Sequence, residues 1–88
     1  MSIEFTHITH SKGKNTQHFI DRSEAIEDLA NELVSLGYEF IMEDLTNGVI
    51  KLAVRRDKHD FVHALFRNGP EITKSIDKLV KRAAKELL

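Results

Sequence analysis

Residues 38–56 read YEFIMEDLTNGVIKLAVRR, and this stretch decides the fold. Apolar and polar side chains alternate on both sides of its centre, which is typical of half-buried strands. Asn47-Gly48 divides the stretch, and this dipeptide is the strongest short signal of a β-hairpin. We therefore predict strands over residues 38–43 and 49–56, joined by a tight turn.

Helical patterns flank this hairpin on both sides. Apolar residues recur at helical spacing over residues 22–36, after a start signal at Asp21 or Ser23 and before a glycine stop at Gly37. Pro70 suits the first position of a second helix, which the pattern extends to the end of the chain. Both predicted helices have a single apolar stripe, so each needs a sheet to cover.

Two further strands are predicted over residues 2–10 and 61–67, and the polar residues 11–17 are predicted to form a loop. The sequence leaves open which face of the 61–67 strand is buried. The order strand-helix-strand-strand-strand-helix predicts an α+β fold, with two helices packed on one face of a four-stranded, mainly antiparallel sheet. The first strand should join one of the later three, and its helical crossover permits a parallel pairing. Residues 1–88 are expected to form a single domain.

Composition excludes several classes of protein. Hydrophobic residues make up 41% of the chain, too many for a disordered protein, and there is no cysteine for a disulfide, a thiolate zinc site or a thiol nucleophile. No apolar run approaches the length of about 20 residues that a membrane span needs. The N-terminal residues lack a secretory signal, so we expect a cytoplasmic protein without a membrane partner.

Charge divides the chain into an acidic and a basic half. Residues 1–48 have a net charge of −6 and residues 49–88 a net charge of +5. The basic half contains a lysine row on the outer face of the second helix, with an arginine beside it. Its members are Lys74, Lys78, Lys81, Arg82 and Lys85. They form either a solvated helix face or a row of cations that binds nucleic-acid phosphates.

A second basic patch is predicted on the sheet. If Ile50, Leu52 and Val54 face the helices, Lys51 and Arg55 point away from them. A sheet face that mixes cations with aromatic side chains can bind single-stranded RNA, and it can equally be a partly exposed surface or a dimer interface.

The first helix has acidic residues on its outer face, namely Glu24, Glu27, Asp28 and Glu32. These carboxylates would repel a phosphate backbone, so a nucleic-acid site would have to avoid this helix. They form a solvated face, a protein-binding surface or, together with the basic second helix, a means of self-association.

Motifs for chemistry are absent from the sequence. There is no glycine-rich phosphate loop, no GxSxG elbow and no HExxH pair, and the five histidines have no clear metal-ligand spacing. We therefore expect no enzymatic activity, no metal, no cofactor and no small-molecule substrate.

The order of elements resembles that of the ribosome hibernation-promoting factor family. The resemblance reaches individual residues in the last helix, where that family has an acidic-apolar pair and an Ala-Ile-Asp triplet before apolar positions at helical spacing. Here these are Glu71-Ile72, Ser75-Ile76-Asp77, Val80 and Leu87. The resemblance implies binding to ribosomal RNA through basic residues of the last helix. Residues 22–88 are also similar to double-stranded RNA-binding domains in their helix, three-strand, helix order.

Two hypotheses follow for function. The leading one is a small non-enzymatic binding module that associates with RNA or the ribosome through its basic C-terminal helix. The alternative is a protein-protein interaction module, either a small regulator or inhibitor of the kind that phages and mobile elements encode, or a homodimer. This alternative would use the acidic first helix or the face of the sheet that the helices leave uncovered.

Overall fold

The described residues of the protein form five strands and two α-helices. The structure, a computed structural model, describes residues 2–10 and 13–88. Along the chain the elements are β1 (Ile3–Thr9), β2 (Lys14–Ile20), α1 (Glu24–Ser35), β3 (Glu39–Asp44), β4 (Val49–Asp57), β5 (Asp60–Arg67) and α2 (Ile72–Leu87). The predicted α+β class is confirmed.

All five strands belong to one mixed sheet with the order β2-β1-β3-β4-β5. β1 and β3 are parallel, and the other three neighbouring pairs are antiparallel. The expected meander of the three later strands is confirmed, as is a parallel partner for the first strand. The sheet has five strands, so the prediction of four was wrong.

The additional strand is β2, which contains part of the stretch predicted as a loop. Residues 14–17 pair with β1, while Ser11 and Lys12 lie outside the described residues. β2 is an edge strand, and its residues 15–19 are exposed. An edge strand of this kind needs no apolar alternation, because its backbone hydrogen bonds to β1 suffice. β2 lacks the alternation that indicates a half-buried strand, so the sequence pattern did not predict it.

The hairpin turns follow the sequence closely. Asn47 and Gly48 both adopt positive φ, at 63° and 72°, inside a short 3-10 turn between β3 and β4. Two consecutive residues in this conformation suit the right-handed twist of the flanking strands. At the next turn, Asp57 pairs with Asp60, and the Asp57 carboxylate accepts the His59 backbone N–H at 2.8 Å.

Both ends of α1 are capped as the sequence indicates. The Ser23 hydroxyl accepts the Ile26 N–H at 3.4 Å, so Ser23 rather than Asp21 is the N-cap. At the other end Gly37 has a φ of 96°, and the Tyr38 N–H donates to the Leu33 carbonyl at 3.1 Å. This is the Schellman arrangement, which favours glycine because other residues are strained at positive φ.

α2 begins later than predicted. Pro70 precedes the helix, which starts at Ile72 with Glu71 at the N-cap position, and no side chain caps it. Pro70 is therefore not the first helical residue. The Ile72 N–H donates to the Gly69 carbonyl, so a turn leads the chain into the helix.

The two helices lie together on one face of the sheet and bury a single apolar core with it. Phe5 and Phe40 meet edge to face at its centre, with 5.5 Å between ring centroids. Val62 is buried in this core, which assigns the inward face of β5. No helix of the described residues covers the opposite side of the sheet, and we call that side the open face. Its apolar and aromatic residues are Ile8, Phe19, Ile41, Ala53, Phe61, His63 and Leu65.

Candidate functional site: the outer face of α2

The lysine row of α2 lies where the sequence places it. Lys74, Lys78, Lys81 and Lys85 are all exposed, on the side of the helix opposite its buried residues. Buried Ile76, Leu79, Val80 and Ala83 hold the other side against the core. Because the apolar stripe fixes the rotation of the helix, the lysines must face solvent. The row is about 16 Å long at 1.5 Å per residue.

Most of the row is not neutralised. Lys74 lies 3.6 Å from a Glu71 carboxylate oxygen, and both side chains are more than 70% exposed. Within the described part of the chain, Lys78, Lys81 and Lys85 have no carboxylate within ion-pairing distance. Three neighbouring cations are therefore available to an external anion.

Asp77 is the one acidic side chain along this segment of the helix, and it is already engaged. Arg22, just before α1, donates Nε and an Nη to its two carboxylate oxygens at 2.8 and 2.7 Å. These hydrogen bonds hold the pKa of Asp77 below its usual value, and the charges of Arg22 and Lys81 lower it further. Asp77 itself raises the pKa of Arg22. The bidentate pair fixes the segment before α1 to α2 and leaves the lysines free.

Arg82 lies beside the row, on the side facing β5. Its Nε donates to Glu86 at 2.9 Å, and an Nη approaches the His63 backbone carbonyl at 3.4 Å. The structure thus confirms that Arg82 flanks the lysines. It also shows that Arg82 has an internal role at the edge of the sheet.

The second predicted basic patch lies on the other side of the molecule. Lys51 and Arg55 are on the open face, where Arg55 donates to Glu39 at 3.1 Å and Lys51 stands directly opposite Glu43. The sheet separates this patch from the α2 lysines. A single ligand lying on the lysine row would not reach it, so the two predicted patches do not form one surface.

The predicted acidic face of α1 is only partly outward. Glu24, Asp28 and Glu32 are exposed. Glu27 is 8% exposed and accepts the Arg22 backbone N–H at 3.1 Å, so its expected outer position was wrong. In this position its carboxylate satisfies a backbone donor next to the helix start, which is a structural role.

The open face of the sheet contains unusually exposed apolar side chains. Phe61 is 45% exposed and stacks on His63, with 5.3 Å between ring centroids, while Leu65 is 60% exposed. A shallow depression of about 280 Å³ lies here over Ile41 and Ala53. The sequence left open whether Phe61 and Leu65 face this side of the sheet or the core, because β5 has apolar side chains on both faces.

Two histidine-carboxylate pairs, which sequence reasoning missed, lie at one end of β1 and β3. His7 Nε2 is 3.1 Å from an Asp44 carboxylate oxygen, and His10 Nε2 is 2.6 Å from one of Glu43. These partners are far apart in the sequence and meet only through the parallel pairing of β1 with β3. Among the described residues no group of three metal-ligating side chains is found.

A groove of about 620 Å³ lies at the opposite end of these strands, between the end of α1 and the sheet. It is lined by Phe19, Asn31, Val34 and Tyr38, among others, and no polar motif in the sequence signals it.

Comparison of the chain with protein families, with curated proteins and with solved structures finds no match. Neither described helix is long and apolar enough to cross a membrane.

Proposed function

We propose that this protein is a small non-enzymatic module that binds RNA through the lysine row of α2. The observation that carries the proposal is the set of three exposed lysines that have no carboxylate partner among the described residues, next to Lys74 on the same helix face. A row of ammonium groups gains binding free energy by releasing the counterions of a phosphate backbone.

The residue type also defines the kind of recognition. Lysine is a point charge on a flexible stem, without the planar fork that lets arginine read guanine edges. Contacts to phosphates position a protein on nucleic acid but carry no sequence information. We therefore expect salt-dependent binding with little sequence preference.

The neighbouring helix limits where the RNA can lie. Glu24, Asp28 and Glu32 expose carboxylates on α1, which packs beside α2, and these would repel phosphates. The favourable path therefore follows α2 on the side away from α1, which faces β5.

The resemblance of the last helix to the hibernation-promoting factors makes ribosomal RNA the favoured ligand. The similarity to double-stranded RNA-binding domains favours a duplex. A cytoplasmic location belongs to this proposal, since it is where the ribosome would be met.

The direct test is RNA binding by a variant with glutamine at positions 74, 78, 81 and 85. Affinity for an RNA duplex of about 20 base pairs should fall roughly 100-fold at low salt, because each lost cation forgoes counterion release. The slope of log affinity against log salt should flatten by about three to four. Fluorescence anisotropy at several salt concentrations measures both.

The matched control replaces Glu24, Asp28 and Glu32 of α1 by glutamine. It changes exposed charges on the other helix and should bind at least as well as the unaltered protein. Unchanged affinity and slope in the lysine variant would contradict the proposal.

The second candidate function is a protein-protein interaction module, a small regulator or inhibitor. The exposed Phe61 and Leu65 on the open face favour it, because aromatic and aliphatic anchors dominate binding at protein interfaces. A protein partner that survives nuclease and is lost on charge reversal of Glu24, Asp28 and Glu32, or on Phe61→Ser, would support this function. RNA binding without such a partner would contradict it.

A further inference from the structure

We propose that the open face of the sheet binds the open face of a second copy of this chain. The two-fold axis would run parallel to the strands, midway between β3 and β4. This inference concerns the side of the sheet away from α2, so it stands independently of RNA binding.

Charge complementarity identifies the partner. On the open face, β3 carries the carboxylates Glu39 and Glu43, and β4 carries the cations Arg55 and Lys51. Glu39 is in register with Arg55, and Glu43 is in register with Lys51. The proposed axis exchanges the strands, so that β3 of one copy lies over β4 of the other. The Glu39–Arg55 ion pair of one copy then faces the same pair of the other copy in reverse order, and each Glu43, which contacts His10 of its own chain, faces a Lys51.

The apolar residues match under the same operation. At the level between the charged pairs, Ile41 of β3 would lie over Ala53 of β4. One strand further out, Ile8 of β1 would lie over Leu65 of β5. Ile8 pairs in register with Glu43 and Leu65 pairs with Lys51, so both are at the same height along the strands. Leu65 is exposed in the single chain and would be covered in the dimer.

The face is large enough for a stable contact. The molecule measures 33 × 28 × 20 Å, and both helices lie on the far side of the sheet. A standard interface buries about 800 Å² per partner, which a face of these dimensions can supply.

The same charges argue against RNA on this face. Glu39 and Glu43 lie along its centre and would meet phosphates directly, with Glu4 on β1 adding a third carboxylate. A second copy instead presents a cation to each of the two central carboxylates.

The test uses two single variants, Glu39→Lys and Arg55→Glu, examined by sedimentation velocity from 10 µM to about 1 mM. Both side chains are roughly half exposed, so the variants should fold, which far-UV circular dichroism checks. The unaltered protein should form dimers within this range. Each variant should dissociate at least about tenfold more readily, because every facing pair at this level becomes like-charged.

An equimolar mixture of the two variants should again form dimers. In a mixed dimer, the lysine introduced at position 39 faces the glutamate introduced at position 55, and the native Arg55 and Glu39 face each other. Repulsion within each chain persists in the mixture, so only a contact between chains explains the rescue. Glu71→Lys, at the exposed start of α2 on the other side of the sheet, is the control and should dimerise like the unaltered protein.

Three results would overturn the proposal: an unaltered protein that stays monomeric up to about 1 mM, single variants that dimerise normally, or a mixture that stays monomeric. A monomer whose RNA affinity falls on Phe61→Ser would overturn it as well and would assign the open face to RNA.

Discussion

The two helices of this protein pack in the same way and differ in the charge they present. α1 buries Ile26, Ala30 and Leu33, and α2 buries a comparable stripe against the same sheet. Outward, α1 exposes carboxylates and α2 exposes lysines. Packing requires only that the outer faces be polar, so the fold does not dictate the sign of the charge on either helix.

The opposite charges are not used to hold the helices together. The ion pair that links the two regions joins Arg22, before the acidic helix, to Asp77, on the basic one. Its polarity is the reverse of the net charges of the two faces. Within the described residues, Glu24, Asp28 and Glu32 form no ion pair with an α2 lysine. The charge difference is thus available for partners, and the following predictions probe it.

The largest effect on stability is expected from the buried faces of the two helices, which are alike. Leu33→Ala and Leu79→Ala should each destabilise the protein by about 2–5 kcal/mol, because both side chains are fully buried and leave a cavity. Urea unfolding measures the loss, and Val34→Ala, at an exposed position of α1, serves as the control. A cost below about 1 kcal/mol at either leucine would contradict the packing described.

The second-largest effect is expected on RNA affinity, when the outer face of α1 is made basic like that of α2. Replacing Glu24, Asp28 and Glu32 by lysine extends the basic surface across α1 and should raise affinity for an RNA duplex about tenfold at low salt, through added phosphate contacts. Anisotropy titrations measure the gain. An unchanged affinity would show that the carboxylates of α1 do not limit where the RNA lies, contrary to the path proposed along α2.

The link between the helices should make stability depend on pH. The folded-state pKa of Asp77 lies below the usual pKa of an aspartate because Arg22 hydrogen-bonds to its carboxylate, so this pairing contributes stability at a pH above the usual value. The contribution is lost as the pH falls from the usual pKa through the lower folded-state pKa. Asp77→Asn should lower stability at neutral pH and flatten the acid side of the profile, measured by urea unfolding from pH 2 to 7. Arg22→Gln should do the same, whereas Asp28→Asn should retain the profile.

The smallest effects are expected at the helix starts, which again differ. Ser23→Ala removes the cap of α1 and should cost about 0.5–1 kcal/mol. α2 has no side-chain cap, so Glu71→Ser should stabilise the protein by a few tenths of a kcal/mol. Thermal unfolding compares the two. A stabilising Ser23→Ala variant would show that the 3.4 Å contact to the Ile26 N–H contributes nothing.

Local signals account for the parts of the fold that the sequence predicted. Asn47-Gly48 and Gly37 specify a backbone conformation directly, and the apolar stripe of α2 sets the direction in which its lysines point. The lysine row of the candidate site could therefore be predicted residue by residue.

The features that sequence analysis missed depend on pairing between distant segments. β2 is polar from Lys14 to His18 and pairs with the edge of β1, and His7 meets Asp44 only through the β1-β3 pairing. Glu27 resembled its exposed acidic neighbours, yet a backbone N–H outside the helix holds it in place. Apolar residues on both faces of β5 left its orientation open until Val62 was found in the core.

The most direct test of RNA binding by α2 is an NMR titration of the isotopically labelled protein with an RNA duplex at low salt. The account predicts amide shift changes concentrated at Lys74, Lys78, Lys81 and Lys85, with α1 little affected. Absence of shifts at saturating RNA, or shifts confined to the open face of the sheet, would contradict it.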